Sequence, residues 1–371
     1  MSYINKYLRN FRPYEVASHK VWQVDADERN KMLKLDWNEA TISPSPKVIE
    51  RIRHLISSDF MNLYPATYNE ELHELLAEYA QLPKENVQYF ASSDSLHEYI
   101  AKMYITVGDP ALILWPSYDN FRLTAQVAGA NVTFFELGKE FELDYSKFEE
   151  SINKNEPSLV YICNPNNPTG LLISKEYIKR LLEMFPATMF LIDEAYIEFT
   201  IEETCKELVL DYDNILISRT MSKAFGLANV RFGYLLASEE NVRFISSIRN
   251  PKNITTFTQE AVIGALEDVE YMWKYVEEVN EAKIFFVDAI NNRYGEYLCA
   301  HQSSANFVLI KCNSQKVKSD LLDYLVSHNI YVRNTNHSVS VKKCIRITIG
   351  LMEQTKQVIR VIGEFYDEQN G

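Results

Sequence analysis

The best candidates for chemistry lie in three short segments, each at the end of an apolar run. The segments are YICNPNNPTG (161–170), FLIDEAYIEF (190–199) and ISRTMSKAFGLANVRFGY (217–234). In the third segment Lys223 follows Thr220 and Ser222, and Arg231 lies eight residues further on. Because hydroxyls and a guanidinium can bind one phosphate together, this spacing predicts a phosphate pocket beside an amine. A lone lysine at such a place would otherwise be a solvated surface residue.

Asp193 ends the apolar run Met189 to Ile192 in the second segment. A carboxylate buried at the end of a strand needs a cationic partner. The alternative is that Asp193 is a helix N-cap, which any α/β protein can have. Asp193 alone does not decide between these two interpretations.

The elements that must position these residues are short apolar runs. Longer stretches, whose apolar residues recur with the periodicity of an α-helix, separate these runs. The runs span residues 87–90, 111–114, 132–135, 159–163, 189–192, 215–217 and 232–236. This alternation predicts an α/β fold with a mostly parallel sheet covered by helices on both faces. Since such open sheets bind ligands at the carboxyl ends of their strands, the three segments should meet there. After Asn250, a long helical stretch (255–294) and alternating segments (306–311 and 344–349) predict a second, smaller α+β domain.

Charge and cysteine content exclude several classes of function. The chain has 38 Lys and Arg against 51 Asp and Glu, a formal net charge of −13, so we expect no nucleic-acid partner. The five cysteines show neither C-x-x-C pairs nor metal-ligand spacing, which favours a cytoplasmic protein without a metal site. No apolar window approaches the roughly 18 residues needed to cross a bilayer, so we expect no membrane span.

Taken together, CNPNNPTG, DEAYIEF and SKAFGL resemble the motifs of class I/II aminotransferases, enzymes of fold type I that depend on pyridoxal 5'-phosphate (PLP). Within that family they are most similar to the histidinol-phosphate aminotransferase branch, from about Phe11 to Gly350. The resemblance implies a seven-stranded, mostly parallel sheet in a large PLP-binding domain at residues 40–250. Residues 251–371 would form the small C-terminal domain, and residues 1–39 an N-terminal arm and part of that domain.

The resemblance also implies a set of cofactor-binding residues. Lys223 would bond covalently to the cofactor and later act as the base that moves a proton. Asp193 would pair with the ring nitrogen, while Asn167 and Tyr196 would donate hydrogen bonds to the 3'-oxygen. The ring would stack on Tyr118. The phosphate would be bound by Thr220, Ser222 and Arg231 and by the backbone N–H groups of Ser93, Asp94 and Ser95, in a run that reads ASSDS where this branch usually has Gly-Ser-Asp-Glu.

On the substrate side, the resemblance points to Arg333 and Arg346, thirteen residues apart and outside the cofactor motifs, as the pair that binds an anion. Tyr14 and Asn38 match further substrate-contacting positions, although Trp37 stands where a small residue is usual. Tyr64 resembles the tyrosine that reaches across a dimer interface to the neighbour's cofactor phosphate. We therefore expect a homodimer with composite sites, in which each active site is built from residues of both chains.

The expected activity is transamination of a small phosphorylated amine or ketone, with a donor or acceptor such as glutamate or 2-oxoglutarate. One alternative keeps PLP but decarboxylates a phosphorylated amino acid of the threonine or serine phosphate type. Another transaminates a triose-phosphate-like ketone of a sugar or capsule pathway, because Trp37 would shrink the pocket. A third is a regulatory protein on the same fold, although such proteins usually add a basic DNA-binding domain.

Overall fold

The computed structural model describes Pro13 and residues 20–29, 31–58 and 61–370 of the chain. In this part the strands are β1 (Leu33–Leu35), β2 (Val87–Phe90), β3 (Pro110–Trp115), β4 (Asn131–Glu136), β5 (Leu159–Cys163), β6 (Met189–Asp193), β7 (Ile215–Thr220), β8 (Gly233–Ala237), β9 (Leu298–Ala300), β10 (Phe307–Cys312), β11 (Ile330–Asn334) and β12 (Cys344–Thr348).

The α-helices of the described residues are α1 (Ala26–Arg29), α2 (Pro46–Ile56), α3 (Glu70–Ala80), α4 (Ser93–Tyr104), α5 (Asn120–Ala128), α6 (Tyr145–Asn155), α7 (Lys175–Met184), α8 (Glu239–Ile248), α9 (Thr256–Leu266), α10 (Val269–Tyr294), α11 (Gln315–Ser327) and α12 (Met352–Asn370). Short 3-10 helices occur at Lys20–Trp22, Lys84–Asn86, Ile197–Glu203, Lys206–Leu210 and Ala228–Val230. No helix in the described part of the chain is long and apolar enough to cross a membrane.

The larger sheet has seven strands in the order β2-β8-β7-β6-β5-β3-β4. Each of the seven apolar runs forms one of these strands, so the predicted sheet is confirmed. β8 runs antiparallel to β2 and β7, while the other neighbours are parallel. Every residue of β5, β7 and β8 is buried, as expected of strands covered on both faces.

The carboxyl ends of β5, β6 and β7 bring the three segments together. Cys163 pairs with Asp193 and Asp193 pairs with Ser218, so β5 and β6 end level with one another and β7 continues two residues further, to Thr220. The backbone N–H of Asn164 donates to Asp193 O, and that of Glu194 donates to Ser218 O. Residues that are distant in sequence therefore leave the sheet side by side.

The start of α4 lies at the same edge because Gly233, the first residue of β8, approaches it closely. A Cβ at this position would collide with the backbone nitrogen of Ser93. Ser92, the N-cap of α4, has a φ of 104°. Glycine at 233 thus lets the helix N-terminus pack directly against the sheet.

The smaller sheet has five strands in the order β1-β11-β12-β10-β9. The helical stretch predicted at 255–294 is two helices, α9 and α10, because Asp268 leaves the helical conformation and its carboxylate accepts a hydrogen bond from Ser45. The two segments predicted to alternate are strands, but every residue of β12 is buried. The domain boundaries near residues 39 and 250 remain our proposal.

Candidate active site

Lys223 lies just beyond the end of β7. Its Nζ donates a hydrogen bond to the carbonyl oxygen of Trp37 at 2.9 Å and lies 5.7 Å from the centre of the Tyr196 ring. Burial lowers the pKa of Lys223 to about 8, and the positive charge of Arg346 contributes in the same direction. A buried amine with this pKa populates its neutral, nucleophilic form near neutral pH.

Asp193 is buried at the end of β6, where two hydroxyl groups hold its carboxylate. Tyr161 donates to Oδ2 at 2.7 Å, and Ser218 donates to Oδ1 at 3.2 Å. The N-cap of the following 3-10 helix is Tyr196 rather than Asp193. The carboxylate is therefore held by side chains of the neighbouring strands, and the helix-cap interpretation is wrong.

Tyr196 is the centre of a buried hydrogen-bond network. Its hydroxyl oxygen accepts hydrogen bonds from Nδ2 of Asn167 at 3.1 Å and from Nδ2 of Asn38 at 3.0 Å. Burial is the main cause that raises the pKa of Tyr196 above its ordinary value. The phenol therefore stays protonated, and its own hydrogen is left to donate.

Asn38 is placed by contacts with the smaller sheet. Its backbone is in the left-handed region, with a φ of 58°, which asparagine tolerates better than most residues. Its N–H donates to Thr348 Oγ1 at 3.1 Å, Thr348 donates back to Asn38 Oδ1 at 3.1 Å, and Asn306 donates to Asn38 O at 3.1 Å. The smaller sheet thus presents Asn38 to Tyr196.

Arg346, predicted to bind substrate, contacts Asn167, predicted to bind cofactor. Its Nη1 donates to Oδ1 of Asn167 at 2.6 Å and its Nη2 donates to the carbonyl oxygen of Asp36 at 2.6 Å. The guanidinium also lies 5.3 Å from the centre of the Phe307 ring. Although Arg346 lies outside the cofactor motifs in sequence, it contacts one of their residues directly.

Arg333 is the cross-strand partner of Arg346 in the β11–β12 pair. Directly opposed residues of antiparallel strands point to the same face of a sheet. The two predicted anion-binding arginines therefore project from one face of the smaller sheet.

The predicted phosphate-binding side chains lie around the turn after β7. Thr220 and Ser222 are buried, with 2.9 Å between their hydroxyl oxygens, and the backbone N–H of Ser222 donates to Thr220 Oγ1. Arg231 is about half exposed, and its Nη2 lies 3.5 Å from Oδ2 of Asp94 at the start of α4. The structure thus brings the guanidinium to the helix N-terminus, as the phosphate prediction requires.

Around the start of α4, the Asp94 carboxylate has partners that the sequence did not indicate. Its Oδ1 accepts hydrogen bonds from the Tyr118 hydroxyl and from Nδ2 of Asn120, both at 3.0 Å. The backbone N–H of Ser95, expected to bind phosphate, donates to Ser92 Oγ at 3.1 Å in this structure. Helix geometry leaves the first amides, those of Ser93 and Asp94, without intrahelical acceptors.

One described residue among those predicted, Tyr64, is not brought into this arrangement. Tyr14 lies outside the described residues. Tyr64 is 79% exposed, and Lys252 Nζ lies 4.4 Å from the centre of its ring.

Several contacts of the site were missed from the sequence. They involve Tyr161, Ser218, Asn120, Thr348, Asn306 and the carbonyl of Trp37. Only Ser218 had a usable signal, because it lies level with Asp193 once the parallel strands are aligned.

These residues fit PLP. Burial lowers the pKa of the Lys223 amine and so increases the fraction in the neutral form that bonds to an aldehyde, and the carboxylate of Asp193 is buried and held on both oxygens. The helix start beside Gly233 suits a phosphate group. When bound, PLP supplies an electron sink for reactions at an amine-bearing carbon.

Comparisons with known proteins agree with this geometry. The model of the family Aminotransferase class I and II matches residues 30–362. A dihydroxyacetone phosphate transaminase of Campylobacter jejuni is 40% identical over 369 residues, covering 99% of this chain and 98% of that protein. A histidinol-phosphate aminotransferase of Ruminiclostridium cellulolyticum is 33% identical over 357 residues, 95% of this chain and 94% of that protein.

Among solved structures, the histidinol-phosphate aminotransferase of Sinorhizobium meliloti in complex with pyridoxal-5'-phosphate has a TM-score of 0.87 at 22% identity, covering 100% of this chain and 99% of that one. The similarity of fold extends over both sheets. Since the family model and the two relatives cover nearly the whole sequence, the chain belongs to the aminotransferase class I and II family and is a PLP-dependent aminotransferase.

Proposed function

We propose that the chain transfers an amino group to a small phosphorylated ketone of three carbons, of the dihydroxyacetone phosphate type. Glutamate and 2-oxoglutarate would serve as amino donor and its product. The observation that carries the proposal is the cross-strand pair Arg333 and Arg346, because Arg346 donates to Asn167, which in turn donates to the hydroxyl of Tyr196. Two guanidinium groups on one face suit a substrate anion such as phosphate or carboxylate.

The proposed size of the substrate rests on Trp37. Its carbonyl oxygen accepts from the reactive amine of Lys223, and Lys34 Nζ lies 4.4 Å from the centre of its indole ring. Because the Trp37 backbone contacts the reactive amine and its indole is half-buried, we infer that this side chain limits the room for the substrate and favours a short substrate over one that carries an imidazole ring. The 40% identity to a dihydroxyacetone phosphate transaminase, against 33% to a histidinol-phosphate aminotransferase, supports the same preference.

Each residue of the site would have its own role in binding the cofactor or in moving the proton. Lys223 Nζ would hold the cofactor and move the proton at the amine-bearing carbon of the substrate. Asp193 would orient the cofactor ring, and Asn167 and Tyr196 would donate to its 3'-oxygen. Tyr118 would cover the ring face. The cofactor phosphate would be bound by Thr220, Ser222, Arg231 and the amides of Ser93, Asp94 and Ser95.

The test is a substrate panel with the purified protein loaded with PLP. With glutamate as donor, 2-oxoglutarate formation is measured with dihydroxyacetone phosphate, dihydroxyacetone and imidazole-acetol phosphate, and carbon dioxide release is measured with threonine phosphate. We expect the highest kcat/KM with dihydroxyacetone phosphate and little turnover without the phosphate. A Trp37→Ala variant should gain activity with imidazole-acetol phosphate. Preference of the unaltered protein for that compound, or carbon dioxide release, would contradict the proposal.

We also propose that the enzyme is a homodimer with composite sites. In the described part of residues 56–68, Met61 is 68%, Leu63 67% and Tyr64 79% exposed, an apolar surface that a second copy of the chain would cover. Tyr64 would then reach the cofactor phosphate of the partner subunit. Further, we propose a cytoplasmic location, because the five cysteines are free thiols and four of them are buried.

A further inference from the structure

His97 is a buried histidine that the site described so far does not use. It lies on α4 with no exposed surface, and its Nε2 is 2.8 Å from Ser218 Oγ. Ser218 Oγ is in turn 3.2 Å from Oδ1 of Asp193. One hydroxyl thus separates the imidazole from the carboxylate proposed to meet the cofactor ring.

The direction of the two hydrogen bonds follows from the single hydrogen of the hydroxyl. Since Ser218 donates to Asp193, it must accept from His97, so Nε2 carries a hydrogen. Nδ1 of His97 is buried and has no hydrogen-bond partner among the described residues. A hydrogen on Nδ1 would find no acceptor there, so the geometry fits the tautomer that carries its hydrogen on Nε2.

Aromatic side chains fix the orientation of the imidazole. The ring centres of Phe121 and Tyr161 are 4.4 Å apart in a stacked pair, and the His97 ring is nearly perpendicular to both, with its centre 5.6 and 5.8 Å from theirs. Tyr161 also donates to the other oxygen of Asp193. The same cluster therefore holds both oxygens of the carboxylate, one directly and one through Ser218.

We propose that His97 is a positioning residue for the amino-transfer reaction. It acts through Ser218 on Asp193, so that the carboxylate keeps one orientation and a fixed set of donors when it meets the cofactor ring. The inference rests on the proposed role of Asp193. It adds that α4, whose first turn would bind the cofactor phosphate, also supports through its second turn the carboxylate proposed to meet the ring nitrogen.

The test compares His97→Leu with His97→Gln, which retains a donor, and with Ser218→Ala and the double variant. His73 gives a matched control, because it is also a buried histidine, with partners Tyr68 and Val87 rather than site residues. Three quantities are measured on the PLP-loaded proteins: the pH titration of cofactor absorbance, kcat with KM, and the thermal unfolding temperature. Asp193→Asn is included as the reference for loss of the carboxylate.

For His97→Leu we expect the midpoint of the absorbance titration to move by about half a pH unit or more, and kcat to fall about tenfold with little change in KM. His97→Gln should restore most of both, and the double variant should lose little more than Ser218→Ala. His73→Leu should change only the unfolding temperature. A His97→Leu titration that superposes on that of the unaltered protein would overturn the inference. If Asp193→Asn also leaves the titration unchanged, the proposed role of Asp193 fails as well.

Discussion

Nη1 of Arg346 donates a 2.6 Å hydrogen bond to Oδ1 of Asn167, across 179 residues of sequence. Because Asn167 also donates to Tyr196, an arginine of the smaller sheet is part of the network around Lys223. Its cross-strand partner Arg333 lies on β11, in register with it. The two arginines should therefore behave differently when they are replaced.

Replacing Arg346 with Gln should raise the pKa of Lys223 above about 8, because the charge of Arg346 is one of the causes that lower it. Only the neutral amine attacks an aldehyde, so PLP capture by the apoenzyme rises as the pH passes through the lysine pKa. The midpoint of capture rate against pH should therefore move upward in the variant. Arg346→Lys, which keeps the charge, should stay near the unaltered value. An unchanged midpoint in Arg346→Gln would show that its charge does not act on Lys223.

Arg333→Ala should leave the cofactor spectrum unchanged and lower kcat/KM for the phosphorylated ketone. A charge-assisted contact contributes roughly 1.5 to 3 kcal/mol, so the loss should be about ten- to a hundredfold. The unphosphorylated ketone should lose much less, since it does not use the guanidinium. Equal losses for the two ketones would mean that Arg333 stabilises the smaller sheet instead of binding an anion.

Local sequence patterns were sufficient for the larger sheet and for placing three candidate residues at one edge of it, whereas the proposed roles of these residues came from the family resemblance. Buried parallel strands are continuous apolar runs, and Asn167, Asp193 and Lys223 each follow such a run. The contact between Arg346 and Asn167 had no local signal, because it depends on how the two sheets pack. The break at Asp268 was likewise missed, since its partner Ser45 is 223 residues away.

Asp193→Asn should keep the shape of the side chain and its contacts with Tyr161 and Ser218 while removing the negative charge. Without that charge the ring nitrogen of the cofactor would lose the ionic partner proposed for it, so kcat should fall about a hundredfold or more. Cofactor content, measured after release by denaturation, should remain near one per chain. Near-normal turnover in this variant would rule out a role in the reaction.

Composite sites can be tested by mixing Lys223→Ala and Tyr64→Ala chains, each of which should lose most of its activity alone. In a mixed dimer, the Tyr64→Ala chain keeps its own Lys223 and receives Tyr64 from its partner, which restores one site of two. Random reassortment of equal amounts should recover about a quarter of the unaltered activity. No recovery in dimers shown to be mixed would place Tyr64 outside the neighbouring site.

The identity of the cofactor lysine can be measured directly. Borohydride reduction of the PLP-loaded protein fixes the cofactor to the amine that holds it, and proteolysis with mass spectrometry then locates the modified residue. We expect the label on Lys223 in the peptide around TMSKAFGL, and no label in Lys223→Ala. Lys283 and Lys318 also have pKa values lowered to about 8 by burial, so they are internal controls for reaction with any neutral lysine. A label on either of these, or on another lysine in place of Lys223, would contradict the account of the site.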